Sequence, residues 1–194
     1  IEHKPDVMTL DVEMPKMDGI EFLRKLMPQY PLPTIVIVQH MPPVFTKMYA
    51  QRLNNTVGLN VKEAETGDIV HQGCVLISPG DCHMRVEKAG STYRVECFKD
   101  KKVNGHCPSV DVLFHSVTQA AGKDAIGVIL TGMGYDGAKS LLSMRQKGAR
   151  TVGQDEKSSI VYGMPKVAFD QGTVEKQASL DNIPQVICSF LNER

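Results

Sequence analysis

The stretch AIGVILTGMGYDG, residues 125 to 137, constrains the fold of this chain most strongly. Its apolar run from Ile126 to Leu130 breaks abruptly into a threonine, three glycines and one acid, Asp136. A buried parallel strand that opens into a functional loop has this pattern. The glycines allow positive φ angles and close approach of a ligand, so backbone N–H groups of the loop are able to face a developing negative charge. Asp136 either serves such a site or caps the helix predicted over residues 137 to 147.

Length and charge narrow the possible functions. A chain of 194 residues can bury one sizeable core, and its 22 basic and 22 acidic side chains cancel. This balance gives no indication of a nucleic-acid or anionic-membrane partner, and 6% aromatic residues without tryptophan suit base stacking poorly. No apolar run reaches membrane-spanning length and no secretory leader opens the sequence. We therefore expect a soluble, cytoplasmic protein with no membrane insertion.

The cysteines predict free thiols rather than disulfides. Their number is five and no CxxC pair occurs, which fits a reducing compartment. A metal site could be assembled only from residues without zinc-site spacing: His71, Cys74, Cys82, His83, His106 and Cys107. Adjacent Cys-His residues in an extended chain also point to opposite faces. We expect neither a metal nor a cofactor.

Strands alternate with helices along most of the chain. Apolar runs predict strands over residues 7–10, 35–38, 126–130 and 149–153, whereas apolar residues at helical spacing predict helices over residues 19–27, 45–53, 109–121, 138–147 and 183–191, with another ending near 170. Residues 57–61 read as extended. Residues 74–98 differ, because alternating residues around the turn Ala89-Gly90-Ser91 indicate antiparallel pairing. The predicted fold class is α/β: a doubly wound, mostly parallel sheet with an appended antiparallel hairpin.

Three further residues are candidates for function on residue type alone. His40 follows the strand at 35–38, where an α/β enzyme places an acid/base group, although a histidine bonded within a strand-end turn is the other interpretation. Asp111 and His115 lie one helical turn apart, either as a solvated or helix-capping pair or as functional residues.

The first residues of the chain resemble a known signalling segment. The string LDVEMPKMDG between a short strand and a helix resembles the phosphoacceptor segment of bacterial response-regulator receiver domains. The resemblance implies that Asp11 is the phosphoacceptor, with a chemotaxis histidine kinase as phosphodonor. The acidic residues that a receiver uses for Mg²⁺, and its later Thr or Ser and Lys, are not present. A carboxylate without its metal partners is expected to be a poor phosphoacceptor.

Five strings in order resemble a second family: VQHMPP, SPGDCHM, PSVDVLFHSV, VILTGMGYDGA and VYGMPK. Together they resemble the catalytic domain of the bacterial chemotaxis protein-glutamate methylesterases, which carry an amino-terminal receiver. Residues 1–31 then correspond to part of the receiver, and residues 32–194 to the esterase domain without its first strand and nucleophile turn. The resemblance implies a serine hydrolase that removes methyl esters from glutamates of methyl-accepting chemotaxis receptors and deamidates certain glutamines.

The resemblance assigns a role to three residues of this chain. His40 is expected to be the general base and Asp136 the acid that orients it, and the backbone N–H of Met133 is expected to contribute to the oxyanion hole. The family's serine lies in a Gly-x-Ser-Thr-Gly-Gly turn ahead of the histidine strand, and no such string occurs here. The receiver-like KLMPQYP passes directly into the esterase-like TIVIVQH, so we expect a deleted, spliced or artificially joined version of the longer two-domain protein.

The missing turn leaves several hypotheses open. None of the other hydroxyls near the matched strings lies in a glycine-flanked elbow after a strand; these are Ser78, Ser109, Thr131, Ser158 and Ser159. One alternative is an inactive homologue that binds receptors or other chemotaxis proteins, and another is an unstable remnant with an exposed sheet edge. A further hypothesis is that the strand at 7–10 and the helix at 19–27 occupy the place of the missing strand and helix, which would bring Asp11 near His40.

Overall fold

The computed structural model describes the backbone of residues 7–11 and the whole of residues 34–193. Its main sheet has seven strands in the order β10-β9-β8-β1-β2-β5-β3, and every recorded pairing within it is parallel. The strands of this sheet are β1 (Val7–Asp11), β2 (Thr34–Val38), β3 (Asn60–Glu63), β5 (Cys74–Ile77), β8 (Ala125–Ile129), β9 (Arg150–Gln154) and β10 (Lys176–Ala178). The predicted fold class is thereby confirmed.

Strand β1 lies at the centre of the main sheet. It pairs with β2 on one side, where Asp11 is opposite Val38, and with β8 on the other, where Leu10 is opposite Val128. A strand paired on both sides contributes two ladders of backbone hydrogen bonds. The receiver-like start of the chain is therefore an integral part of the sheet, between the strands that lead to His40 and Asp136. The helix predicted over residues 19–27 lies outside the described residues.

Helices cover both faces of the main sheet. The described helices are α1 (Phe45–Val57), α2 (Val110–Ala120), α3 (Ala138–Gln146), α4 (Met164–Asp170) and α5 (Ile183–Asn192). The alternation of strand side chains explains the two layers: Ile35 and Ile37 of β2 pack in the core with α1 and α5, whereas Val36 and Val38 pack in the opposite core with α2, α3 and α4. Continuous apolar strands with both faces covered are typical of parallel sheets.

The antiparallel appendage is larger than a hairpin. It is a three-stranded sheet in the order β4-β7-β6, formed by β4 (Ile69–Val70), β6 (His83–Ala89) and β7 (Thr92–Phe98). Residues 74–77, which the sequence grouped with this region, belong instead to β5 of the main sheet. All four residues of β5 are buried, so the polar alternation that marks a half-exposed strand is missing from it.

Other boundaries differ from the predictions in ways that local chemistry explains. Helix α1 continues to Val57 and ends at Gly58, whose φ of 67° is the left-handed conformation that commonly closes helices. The extended segment predicted over residues 57–61 was therefore wrong at its start, since β3 begins at Asn60. Among the described residues no helix is long and apolar enough to cross a membrane.

Candidate functional site

The site lies where the two strands that flank β1 end. His40 lies two residues after the end of β2, and Asp136 lies seven residues after the end of β8. His40 Nε2 lies 2.9 Å from Asp136 Oδ2, with 14% of the histidine side chain and none of the aspartate side chain exposed. An ionised carboxylate only accepts hydrogen bonds, so Nε2 carries the proton of this bond. In the neutral imidazole, Nδ1 is then the nitrogen without a proton. The sequence placed both residues at strand ends, and the fold brings them together.

A tight contact between two loops supports the backbone after His40. Gly80, which follows β5, lies so close to Pro42 and Pro43 that a Cβ atom at position 80 would lie 2.3 Å from the Pro43 nitrogen. The Gly80 N–H donates to Thr46 Oγ1 over 3.1 Å, which ties the same loop to α1. Glycine at position 80 is thus required by close approach of two backbones.

Asp136 is the most heavily bonded side chain of the site. Besides His40, it accepts hydrogen bonds from Asn104 Nδ2 (2.8 Å), Ser109 Oγ (2.7 Å) and the backbone N–H groups of Val110 (2.7 Å) and Asp111 (3.3 Å). Burial by itself raises the pKa of this carboxyl, but the donors, His40 first among them, outweigh burial and lower the pKa to about 2. Asp136 is therefore ionised throughout the neutral range.

The two helices beside the site exchange capping residues. Asp136, just before α3, caps the start of α2 through the N–H groups of Val110 and Asp111, rather than capping its own helix. In return, Asp111 Oδ1 accepts from the Ser140 N–H of α3 over 2.8 Å. Each carboxylate thus satisfies an otherwise unpaired helix N-terminus. The sequence allowed a helix-capping role for Asp111, and Asp111 does cap a helix. Its partner is the Ser140 N–H of α3 rather than His115.

A second histidine lies against the first. The rings of His40 and His106 are stacked at 3.8 Å between centroids with an interplanar angle of 9°. Both rings line a cleft of about 220 Å³ that also includes Lys102, Asp81 and Cys107. Burial raises the pKa of the Cys107 thiol in this cleft, so the thiol is protonated at neutral pH.

The glycine loop between β8 and Asp136 presents Met133 to solvent. Met133 is 77% exposed, and in the described part of the chain its backbone N–H donates to no acceptor. The carbonyl of Gly132 is held from behind by the N–H groups of Gly163 (3.2 Å) and Met164 (2.8 Å). A Cβ at position 163 would lie 2.6 Å from that carbonyl oxygen, so the loop rests directly on the Gly163 backbone.

The alternative hydroxyls are all committed to protein acceptors. Ser109 donates to Asp136 itself, Ser78 to the Cys82 carbonyl and Thr131 to the Val161 carbonyl. Ser158 and Ser159 donate to the carboxylate and the carbonyl of Asp155. Ser109 is the hydroxyl bonded to the His40–Asp136 pair, and it bonds to the acid rather than to the base.

Asn104 is a site residue that the sequence analysis missed. It donates to both Asp136 and Asp111, and it begins the Asn-Gly dipeptide of VNGH, a sequence typical of two-residue turns. The Asn-Gly dipeptide therefore indicated the turn, although it did not indicate which side chains Asn104 contacts.

The position of Asp11 is known from the backbone alone: Asp11 lies at the carboxyl end of β1. The residues that the structure describes include no group of three metal-ligating side chains.

A parallel sheet covered on both faces, with an oriented histidine at its carboxyl edge, defines an α/β domain of the hydrolase type. Comparison with known proteins gives the family. Residues 17–187 match the CheB methylesterase family, and the chain belongs to it. The solved catalytic domain of the CheB methylesterase of Thermotoga maritima superposes with a TM-score of 0.84 at 33% identity, over 98% of this chain and 100% of that domain.

Relatives of known name agree with this assignment. The chain is 41% identical to protein-glutamate methylesterase/protein-glutamine glutaminase 2 of Syntrophomonas wolfei, over 100% of this chain and 86% of that protein. It is 56% identical to the protein of the same activities from Sulfurimonas denitrificans, over 84% of this chain but only 46% of that relative. The Syntrophomonas alignment spans 293 positions against the 194 residues here, so at least 99 positions of it face no residue of this chain.

Proposed function

We propose that the His40–Asp136 pair serves hydrolysis of glutamate methyl esters, and deamidation of glutamines, on methyl-accepting chemotaxis receptors. The names of the relatives give these two activities for those proteins. The observation that carries the proposal is the 2.9 Å bond between His40 and a fully buried, fully partnered aspartate. Acyl transfer needs such a pair: a histidine that takes the nucleophile's proton, and an acid that orients the ring and stabilises the imidazolium.

The proposed roles follow from the geometry. Because Nε2 of His40 is bonded to Asp136, Nδ1 is the nitrogen that takes a proton from an attacking hydroxyl. The proton passes to methanol or ammonia when the tetrahedral intermediate collapses, and water then hydrolyses the acyl group. The N–H of Met133 is proposed as a donor to the oxyanion, which fits its lack of an acceptor in the described part of the chain.

A second candidate function follows from the missing serine turn. We propose that the Gly-x-Ser-Thr-Gly-Gly segment of the family falls within the at least 99 positions that have no counterpart here. Removal of a triad nucleophile reduces turnover by roughly 10⁶-fold in a serine hydrolase of another fold. The chain by itself is then a receptor-binding protein that retains the base and acid of the reaction.

The proposed domain division follows the same argument. Residues 1–31 are proposed as part of a receiver, in which Asp11 is the phosphoacceptor and a chemotaxis histidine kinase the phosphodonor, and residues 32–194 as the esterase domain. Support comes from the string LDVEMPKMDG and from the position of Asp11 at the carboxyl end of β1.

One experiment separates the two candidate functions. The purified chain is mixed with a methylated receptor cytoplasmic fragment, and binding and methanol release are measured for the wild type and for His40→Gln. The hydrolytic function predicts faster release by the wild type than by His40→Gln, whereas the receptor-binding function, which we favour for a chain without the serine turn, predicts that both proteins bind and release methanol equally slowly. Release by the wild type that His40→Gln abolishes would show that the chain is an esterase with another nucleophile. Failure of both to bind would contradict the receptor as partner.

A further inference from the structure

Residues 103–106, VNGH, form a tight turn beside the site. The N–H of Val103 donates to the His106 carbonyl over 3.0 Å, and the N–H of His106 donates back over 2.9 Å. Between them Asn104 and Gly105 have φ angles of 53° and 84°. Two positive φ angles inside a reciprocally bonded pair define a type I′ turn, for which Asn-Gly is the preferred sequence. The turn is therefore locally rigid.

The second residue of the turn, Asn104, bonds to the acid of the site. The single Nδ2 of Asn104 lies 2.8 Å from Asp136 Oδ1 and 2.6 Å from Asp111 Oδ2. Two carboxylates are thus joined through one amide group instead of facing each other directly. An amide N–H between two carboxylates donates to both, so Asn104 holds the two side chains in place as caps of α2 and α3.

The last side chain of the turn holds the base. His106 stacks face to face on His40 with nearly parallel rings, at 3.8 Å between centroids. The bond to Asp136 fixes one edge of the His40 ring, and a flat ring against its face restricts the tilt of the ring plane. The second and fourth residues of one turn therefore contact the two members of the pair.

We infer that the turn Val103–His106 is a positioning element for the His40–Asp136 pair, in which Asn104 fixes the aspartate and His106 fixes the plane of the histidine. The functional meaning of this inference rests on the proposed hydrolytic role of the pair. The positioning itself is a property of the folded chain and can be measured without turnover.

The test uses exchange of the His40 Nε2 proton with water, measured by NMR at neutral pH on the full chain. Asn104→Gly keeps the positive φ angle and removes the amide, and His106→Ala removes the stacked ring. Each substitution is expected to accelerate exchange of this proton about tenfold, because the net contribution of one such contact to stability corresponds to about a tenfold change in the opening equilibrium. Lys101→Ala, two residues before the turn and exposed, is the control and should leave the rate within about twofold.

Two conservative variants separate positioning from general stability. His106→Phe keeps a flat ring on His40 and should keep exchange slow. Adding Asp111→Asn to Asn104→Gly removes the charge repulsion, retains an oxygen for Ser140, and should restore slow exchange. The backbone N–H of Phe114 in α2 reports global opening in every variant, so only the ratio of the two exchange rates is interpreted.

The outcomes test the roles of Asn104 and of His106 separately. An unchanged ratio in Asn104→Gly overturns the role of Asn104, and an unchanged ratio in His106→Ala overturns that of His106. An accelerated ratio in His106→Phe equal to that in His106→Ala also overturns the stacking argument. None of these results depends on whether the chain hydrolyses an ester, so failure of the proposed function is seen separately.

Discussion

Two regions meet at the carboxyl edge of the main sheet: the His40–Asp136 pair and the end of β1. They differ in whether the sequence contains the residues that the family resemblance leads one to expect there. At the ends of β2 and β8, His40 and Asp136 are bonded to each other, and the aspartate accepts from four further donors. Between them ends β1, whose sequence is receiver-like and has no glycine-flanked serine. The difference shows that the partners of the His40–Asp136 pair also cap helices, so the geometry of the pair does not depend on a glycine-flanked serine in β1.

The largest expected effect on stability comes from a substitution in β1. Thr9→Pro removes a backbone N–H from a strand paired on both sides and should destabilise the protein by at least about 3 kcal/mol in chemical unfolding. Thr9→Val, which suits a strand equally well, is the matched control and should change stability little. If Thr9→Pro leaves the free energy of unfolding unchanged, β1 is not part of the sheet and the comparison fails.

The acid at the other region should be almost as sensitive. Asp136→Asn removes a buried charge and turns an amide group toward donors, so we expect a loss of about 3 kcal/mol in free energy of unfolding. Asp170→Asn, at an exposed ion pair with Lys166 on α4, should cost less than about 0.5 kcal/mol. Equal effects of the two substitutions would mean that the contacts around Asp136 contribute no more than a surface pair.

The pH dependence of stability sharpens the same point. The pKa of Asp136 is lowered to about 2 in the folded protein, against about 4 for an unperturbed aspartate. Its ionised form therefore stabilises the protein above about pH 4, and this contribution, about 2 kcal/mol, is lost as the pH falls from 4 to 2. We expect unfolding curves of the wild type to show a steeper acid loss than those of Asp136→Asn. Identical slopes would contradict the bonded, ionised aspartate.

The smallest predicted effect concerns the loop of Met133. Gly163→Ala places a Cβ against the Gly132 carbonyl and should cost about 1 to 2 kcal/mol and shift the Met133 amide resonance. Gly172→Ala, where a Cβ meets open space but φ is 66°, is a glycine control that should leave that resonance in place. An unshifted Met133 amide in Gly163→Ala would show that the loop is not seated on Gly163.

Much of the fold could be read from the sequence, because buried parallel strands are continuous apolar runs and their ends mark the site. Strands near His40 and Asp136 were predicted within one residue of their observed limits. The cross-capping of α2 and α3 could not be predicted, because a carboxylate near a helix start signals a cap without saying which helix it caps. β10, Lys176–Ala178, was missed because the polar residues of a short edge strand give no apolar signal.

Covalent trapping tests the central claim, a complete base–acid pair without its serine, most directly. The folded chain and its His40→Gln variant are incubated with a fluorophosphonate, which bonds to hydroxyls activated by a neighbouring base, and the adducts are counted by intact mass. We predict no adduct that depends on His40. A His40-dependent adduct, located by peptide mass spectrometry on a serine or threonine of this chain, would contradict the account and identify the nucleophile.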